Sequence, residues 1–427
     1  MTNPEKTADC SSTSAKLRVQ RLLDNTLSLE SIRAEIQLVV DSGNIGVIRE
    51  LETRDQIRFL DIVDQAAPAV LVKDTKFVAA LGDISSDILL LPTSTGLLQG
   101  LEKRGERPLA SGPTDVWEGT WSGKPVAFKA FRIFPPEDLQ ETKKILWKLA
   151  PTWKRLTHEN VLPFHGIDTS IFQLALVYEW GHNGNIMQYL RSHPDASRPK
   201  LLLQVAKGLQ YLHSLKIVHG NLKGANVLIS ESGKARVCDY DLSLIVSNPI
   251  FTTAATPGVA GSSRWLAPEI IDLPSKASSE SLVASKSADV FAFAMLAVEV
   301  FSGNVPFEDM NESAVIHVAN GMRPVRPQAA KQLGLTAEMW KFIKKCWNAD
   351  PNKRPTINEV VGTWGGFVNG NGLSFWSSAS RRITPWDNDR SSMPQAPGRR
   401  SQFAEPTAAY EGGHEFSMRK KRFCGAF

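Results

Sequence analysis

The chain has 427 residues, of which 42% are hydrophobic, 22% charged and 8% aromatic, a composition that excludes a collagen-like, coiled-coil or wholly disordered protein. Its 49 basic and 44 acidic residues give a net charge of +5, too small an imbalance for a global nucleic-acid signature, so no specific nucleic-acid partner is expected. Cys10, Cys238, Cys346 and Cys424 stand far apart without CxxC spacing, which argues against a disulfide framework or structural zinc and for a reducing, cytoplasmic setting.

In chain order, residues 1–14 read as a disordered tail, polar and without the apolar stretch of a signal peptide. Residues 15–104 read as a helical extension. Within it, Thr53-Arg54-Asp55-Gln56 has capping-box spacing ahead of Ile57, Phe59, Leu60, Ile62 and Val63. Residues 76–91 make a second apolar candidate helix that Pro92 is expected to stop. The extension carries no repeat and no chemical motif, and reads as a bundle packed on itself or on its neighbour. From residue 105 the pattern changes to strands at Val116-Trp117, Thr120-Trp121 and Val126-Ala127-Phe128, the later pair separated by Ser122-Gly123-Lys124-Pro125. Beyond residue 184 long helices dominate, notably 200–215 and 288–301. The apolar run 290–298, closed by Asp289 and Glu299, is about half of what a bilayer span needs. A β-rich segment followed by a helix-rich one implies two lobes over residues 105–364. Residues 365–427, rich in Gly, Ser, Pro, Asn and Arg, read as a disordered basic tail.

The chemistry lies in short motifs. Val126-Ala127-Phe128-Lys129 ends an apolar strand on a lysine. Val218-His219-Gly220-Asn221-Leu222-Lys223-Gly224-Ala225-Asn226-Val227 follows an amphipathic helix, and Val237-Cys238-Asp239-Tyr240-Asp241 and Trp265-Leu266-Ala267-Pro268-Glu269 come after it. Each alone could be an ordinary loop. In this order and at these spacings, the chain resembles the eukaryotic protein kinases, specifically the tyrosine-kinase-like group and its members in mushroom-forming fungi. The resemblance covers residues 105–364 and includes Asp289, Cys346-Trp347 and Arg354, at positions that brace the C-terminal lobe in the family. It implies an α+β, bilobal protein kinase fold, with a β-rich N-lobe and an α-helical C-lobe behind the helical extension.

Phosphoryl transfer in that family is mainly positioning plus charge neutralisation. The resemblance implies that Lys129 reaches the ATP phosphates and that Asn226 and Asp239 hold magnesium, both being oxygen donors suited to a hard cation. It implies further that Lys223 is the catalytic-loop lysine of serine/threonine kinases. The backbone of Glu179-Trp180-Gly181 would meet adenine, with Tyr178 narrowing the pocket behind it. Other positions depart from the family. The catalytic-base aspartate is Asn221, whose amide cannot take a proton at neutral pH. The arginine before it is Gly220, so phosphorylating Thr252, Thr253 or Thr256 is not expected to switch the protein through that residue. The three glycines of the phosphate-cradling loop fall on Leu109, Ser111 and Thr114, with Gly112 beside them and Pro113 lacking an amide donor. Leu149 stands where a helix should offer glutamate to Lys129. Glu141 lies eight residues earlier, and Pro151 is expected to kink or end that helix. Tyr240 replaces a phenylalanine, and Asp241, replacing a glycine, either draws metal or faces solvent.

From residue 371 the chain has nine basic and five acidic residues and ends Arg419-Lys420-Lys421-Arg422-Phe423-Cys424-Gly425-Ala426-Phe427. Cys424 behind a basic cluster fits prenylation, although Gly425 and Ala426 match the aliphatic positions poorly. The basic quartet equally suits nuclear import, attraction to acidic lipid or a solvated tail end. The expectation is a pseudokinase acting as a scaffold or allosteric regulator for other signalling proteins, with ATP and Mg bound weakly or not at all. The alternative is a slow, active serine/threonine kinase.

Overall fold

Apolar periodicity builds the first body of the chain as a helical bundle. The computed structural model describes residues 4–24, 27–43, 45–68, 76–111, 114–132, 136–240, 263–271, 285–310 and 318–370. Helices α1 (Pro4–Leu23), α2 (Leu29–Asp41), α3 (Gly46–Arg49), α4 (Thr53–Ala66) and α5 (Lys76–Ile88) enclose a core that includes Leu22, Ile36, Ile48, Phe59, Leu60 and Leu81. The disordered lead expected over residues 1–14 is corrected from Pro4 onward. Val19, Leu22 and Leu23 need a helical face to reach this core, and the polar residues before them continue that helix. The expected capping box is corrected too: Glu52 is the N-cap of α4 and makes no side-chain cap bond. Gln56 Nε2 donates instead to the Ile48 carbonyl at 3.0 Å, tying α4 to α3. Helix α5 ends at Ile88, where Leu89 turns to φ 56, before Pro92 is reached.

The next body is an antiparallel sheet. Strands β1 (Leu101–Lys103), β2 (Ala110–Ser111), β3 (Thr114–Trp121), β4 (Lys124–Phe131), β5 (Phe164–Asp168) and β6 (Ala175–Glu179) run in the order β1-β3-β4-β6-β5, with β2 pairing onto β3. The β3–β4 turn is Ser122-Gly123, both at positive φ as the sheet twist favours, so Lys124 and Pro125 belong to β4. Side-chain alternation splits β4. Val126, Phe128 and Ala130 pack with Trp117, Phe172 and Val177, leaving Lys129 on the opposite face with Ala127 and Phe131. Helix α6 (Pro136–Lys154) packs on this opposite face, joining Leu146 and Trp153 to a core with Phe131, Leu176 and Tyr178. It runs through Pro151 to Lys154, so the expected break becomes a proline inside the last turn.

The helical lobe contains α7 (Ile186–Ser192), α8 (Arg198–Ser214), the hairpin β7 (Val227–Ile229) and β8 (Ala235–Val237), α9 (Pro268–Ile271), α10 (Lys286–Ser302), α11 (Ala337–Cys346) and α12 (Ile357–Val368). Helix α10 is buried from Ala288 to Phe301, which accounts for its apolar run: it is the central core helix. Among the described residues no helix is long and apolar enough to cross a membrane. Arg354 grips Glu269 as a fork, at 2.6 and 2.7 Å, and ties the α12 approach to α9. Helix α12 continues past residue 364, the expected limit of the lobe. Trp364 is fully buried, donating from Nε1 to the Pro199 carbonyl at 2.9 Å, and Phe367 and Val368 pack beside it. The bilobal α+β architecture expected from the sequence is present. Gly112, Pro113, Asp241, Thr252, Thr253, Thr256, Cys424 and the basic end, all singled out from the sequence, lie outside the described residues.

Candidate functional site

The loop between α8 and β7 forms the floor of a cleft under the sheet. Its backbone is held by Asp289 on α10, a buried carboxylate that accepts the N–H groups of His219 and Gly220, each at 2.8 Å, and His213 Nε2 at 2.7 Å. Gly220 sits at φ 71, a left-handed conformation that glycine adopts without the cost a side chain would add. Asn221 N–H donates to His219 Nδ1 at 3.3 Å, while burial pushes the imidazole pKa down and keeps it neutral. Further along, a 3₁₀ turn, Gly224–Asn226, brings Asn226 under Asn221. Asn226 Nδ2 donates to the Asn221 carbonyl at 2.7 Å, and Cys238 N–H donates to the Asn226 carbonyl at 3.0 Å.

These bonds gather the expected residues. Lys129, brought by β4, forms an ion pair with Asp239, which follows β8 at φ 63. Lys223 lies in the same cleft. Burial pushes its pKa down, and the Asp239 carboxylate partly opposes that shift. Glu179 closes β6; its N–H donates to the Pro163 carbonyl at 3.0 Å and its carboxylate takes Arg236 at 2.5 Å. Gly181 follows, with its Cα facing the Leu228 side chain. Tyr178 is buried behind them, edge-on to Phe164 at 5.4 Å.

The roof differs from the floor. The described part of the loop over the cleft, β2 with Leu109 before it, is zipped onto β3, Leu109 N–H donating to the Val116 carbonyl at 2.8 Å. Ser111 Oγ donates to Asp115 at 2.7 Å, and Arg132 grips the same carboxylate at 2.5 and 2.9 Å. The Arg132 guanidinium, helped by Ser111, holds the Asp115 carboxyl below its usual range. From α6, Glu141 pairs with Lys144 on an exposed face and does not reach Lys129, while Leu149 packs into the core. The Asp115–Arg132 pair was not foreseen; its only sequence signal is the β3–β4 register, which sets Asp115 opposite Ala130.

A second residue missed by sequence reasoning is Glu299, at the far end of α10. It accepts Gly224 N–H and Trp265 Nε1, both at 2.9 Å, joining the loop to the segment before α9. Burial pushes its carboxyl up to about 7, and these two bonds only partly counter it.

The donor set fits a nucleotide with magnesium in part. Because Asn226 donates through its nitrogen, its amide oxygen is the atom that can meet a cation, beside the Asp239 carboxylate. Among the described residues no cluster of three or more His, Cys, Asp or Glu could hold a metal, so an ion held by Asn226 and Asp239 would complete its shell with water or phosphate oxygens.

Known proteins share this pattern. A family profile described as "Protein tyrosine and serine/threonine kinase" matches residues 106–363. A putative serine/threonine-protein kinase/receptor, R831, of Acanthamoeba polyphaga mimivirus is 32% identical over 256 residues, 58% of this chain and 14% of the relative. The serine/threonine-protein kinase STY17 of Arabidopsis thaliana is 30% identical over 254 residues, 58% of this chain and 41% of the relative. The tyrosine-protein kinase Srms of Mus musculus is 30% identical over 251 residues, 57% of this chain and 47% of the relative. The matched region thus spans less than half the length of each of these relatives.

Proposed function

The chain belongs to the protein tyrosine and serine/threonine kinase family, and from that premise we propose that it is a pseudokinase: a scaffold or allosteric regulator of signalling proteins that can hold ATP but transfers its phosphoryl group little or not at all. One observation carries this reading. Asp289 braces the catalytic loop at His219 and Gly220, yet the position of the proton acceptor is the amide Asn221. A neutral amide can orient a hydroxyl but cannot receive its proton. Loss of a general base typically costs about 10²–10⁴ in rate, roughly 3–5 kcal/mol. The roof adds to the loss, since among the described residues Lys129 has no carboxylate partner from α6 and Leu109 and Ser111 stand at glycine positions. These defects fall in one functional unit, so their costs do not simply add.

When nucleotide binds, the residues divide the work as follows. The 179–181 backbone would hold the base, Lys129 the α and β phosphates, and Asn226 and Asp239 the magnesium, which would neutralise phosphate charge. Asn221 orients a hydroxyl without deprotonating it. The gathering of Lys129, Lys223, Asn226 and Asp239 in one cleft favours the second reading, a slow serine/threonine kinase.

Thermal-shift titration with ATP, with and without magnesium, beside a labelled-phosphate transfer assay separates the two readings. Ligand binding to the folded state must raise its stability. The pseudokinase reading expects a shift with no transfer above the blank, and no working rate from Asn221→Asp alone. Transfer that vanishes in Lys129→Met would establish the kinase instead.

A further inference from the structure

Helix α6 is held from the side away from Lys129. Helix α5 lies so close along it that a Cβ on Gly82 would collide with the Lys148 carbonyl oxygen, an approach only glycine permits. Asp83 of α5 pairs with Lys148 at 2.8 Å. Asp64 of α4 pairs with Arg155 at 2.6 Å, with both side chains nearly buried, and Arg155 also donates to the carbonyls of Asp64 at 3.0 Å and Pro68 at 3.1 Å. Ala67 and Val78 of the extension share one core with Leu146, Trp147 and Trp153 of α6. The connection after α5 is pinned as well. Ser94 Oγ donates to Asp64 at 2.5 Å, and Leu98 N–H donates to the Ile167 carbonyl on β5 at 3.0 Å.

On the cleft side α6 adds Leu146 and Trp153 to the core, but among the described residues its polar ties there are sparse. Lys129 is engaged by Asp239, Glu141 by Lys144, and the bond from α6 to the sheet is Lys154 Nζ to the His165 carbonyl, at 2.5 Å. We propose that the extension is a built-in clamp on α6. From outside it supplies the restraint that a carboxylate on the helix would otherwise supply through Lys129, and it fixes α6 in one position without a partner protein or a phosphate. The clamp rests on the reading of Leu149 as a lost ion-pair position, and it gives the proposed scaffold its regulation: the lobe presents one shape constantly. Buried pairs such as Asp64–Arg155 suit that task, because breaking one leaves a charge with no water to receive it.

Hydrogen exchange on the full chain tests the clamp. Two variants are compared with the wild type: Gly82→Leu, which forces α5 off α6, and the double variant Asp64→Asn/Asp83→Asn, which removes both carboxylates and adds no bulk. In each, the α6 amides should exchange at least tenfold faster while those of α10 keep their wild-type rates. Unchanged α6 exchange in the double variant, or in Gly82→Leu with α5 deprotected, overturns the proposal. Should Gly82→Leu also strip α10 of protection, the whole chain has failed and the double variant decides. Loss of α10 protection there too overturns the clamp, since the extension would then support the whole fold and not this helix. Exchange does not read phosphotransfer, so failure here is distinct from failure of the pseudokinase reading.

Discussion

Below the cleft, His219, Gly220 and Gly224 each donate a backbone N–H to a buried carboxylate of α10, and Arg354 locks Glu269 from behind. Above it, Lys129 pairs with Asp239, Leu149 of α6 packs into the core, and the proposed reading sets Leu109 and Ser111 at glycine positions of a phosphate loop and Leu149 at that of an acid. On the proposed reading, the floor keeps its positioning network without a proton acceptor, and the roof has lost much of its grip on phosphate. The difference follows from what folding requires. A buried carboxylate that satisfies backbone donors is needed for the chain to fold whether or not any phosphate moves. A catalytic base, or a glycine that lets phosphate approach, contributes nothing to folding, and its replacement costs little stability.

The largest effect should come from the floor. Asp289→Ala leaves His219 N–H, Gly220 N–H and His213 without their acceptor in a dry site and should cost about 3–5 kcal/mol. Urea denaturation reads this as a lowered midpoint at constant slope. A loss under about 1 kcal/mol would mean the floor is not held by its polar network, and the contrast with the roof would collapse.

Glu299 should show itself through pH. Its carboxyl is raised from 4.5 to about 7, so between these values the folded chain keeps a proton that the unfolded chain has released. Its contribution to stability is therefore greatest below pH 4.5, declines as pH rises through 7, and is flat above. Over that window the loss is about 3 kcal/mol for a shift of this size. Glu299→Gln has no such titration, so its stability relative to wild type should climb by about that amount from pH 4.5 to 7.5. A difference that stays level or falls would show that the carboxyl is not destabilised by burial.

Much of the floor was legible in the sequence because it is local. His219, Asn221, Lys223 and Asn226 sit within one loop, and the resemblance to the kinases sets them against the Asp239 segment. The roof was legible only as substitutions at expected positions. What the sequence could not disclose are pairs joined by tertiary packing. Asp64 and Arg155 meet although 91 residues apart, and Gly82 matters only because Lys148 happens to lie against it. The same cause misled the reading of Thr53-Arg54-Asp55-Gln56, whose spacing fits a cap while Gln56 is drawn to the α3 carbonyl of Ile48. Sequence expects Pro151 to kink or end the helix, yet in the last turn of α6 a proline forfeits one bond and the helix continues to Lys154.

On the roof, Lys129→Met should separate binding from folding. It removes the partner of Asp239, a largely buried carboxylate, so the stability loss should be about 2 kcal/mol, still below that of Asp289→Ala. The ATP-induced rise in melting temperature should disappear, because the phosphate contact goes with the lysine. An ATP shift that survives Lys129→Met would place the nucleotide elsewhere and remove the roof from the argument.

The smallest effect concerns Gly220. At φ 71, an arginine there would cost about 1–2 kcal/mol per residue, since a Cβ in the left-handed region crowds its own carbonyl. The Gly220 N–H bond to Asp289 limits how far the loop can relax, so the strain must be borne locally. Gly220→Arg should therefore lower stability by about 1 kcal/mol and bring no phosphotransfer, because the new guanidinium supplies no proton acceptor beside Asn221. If the variant proved as stable as wild type, the backbone at this position would be free to leave its left-handed turn. The floor would then be no better fixed than the roof, and the bonds from Asp289 would be describing a loop that yields when a side chain asks it to.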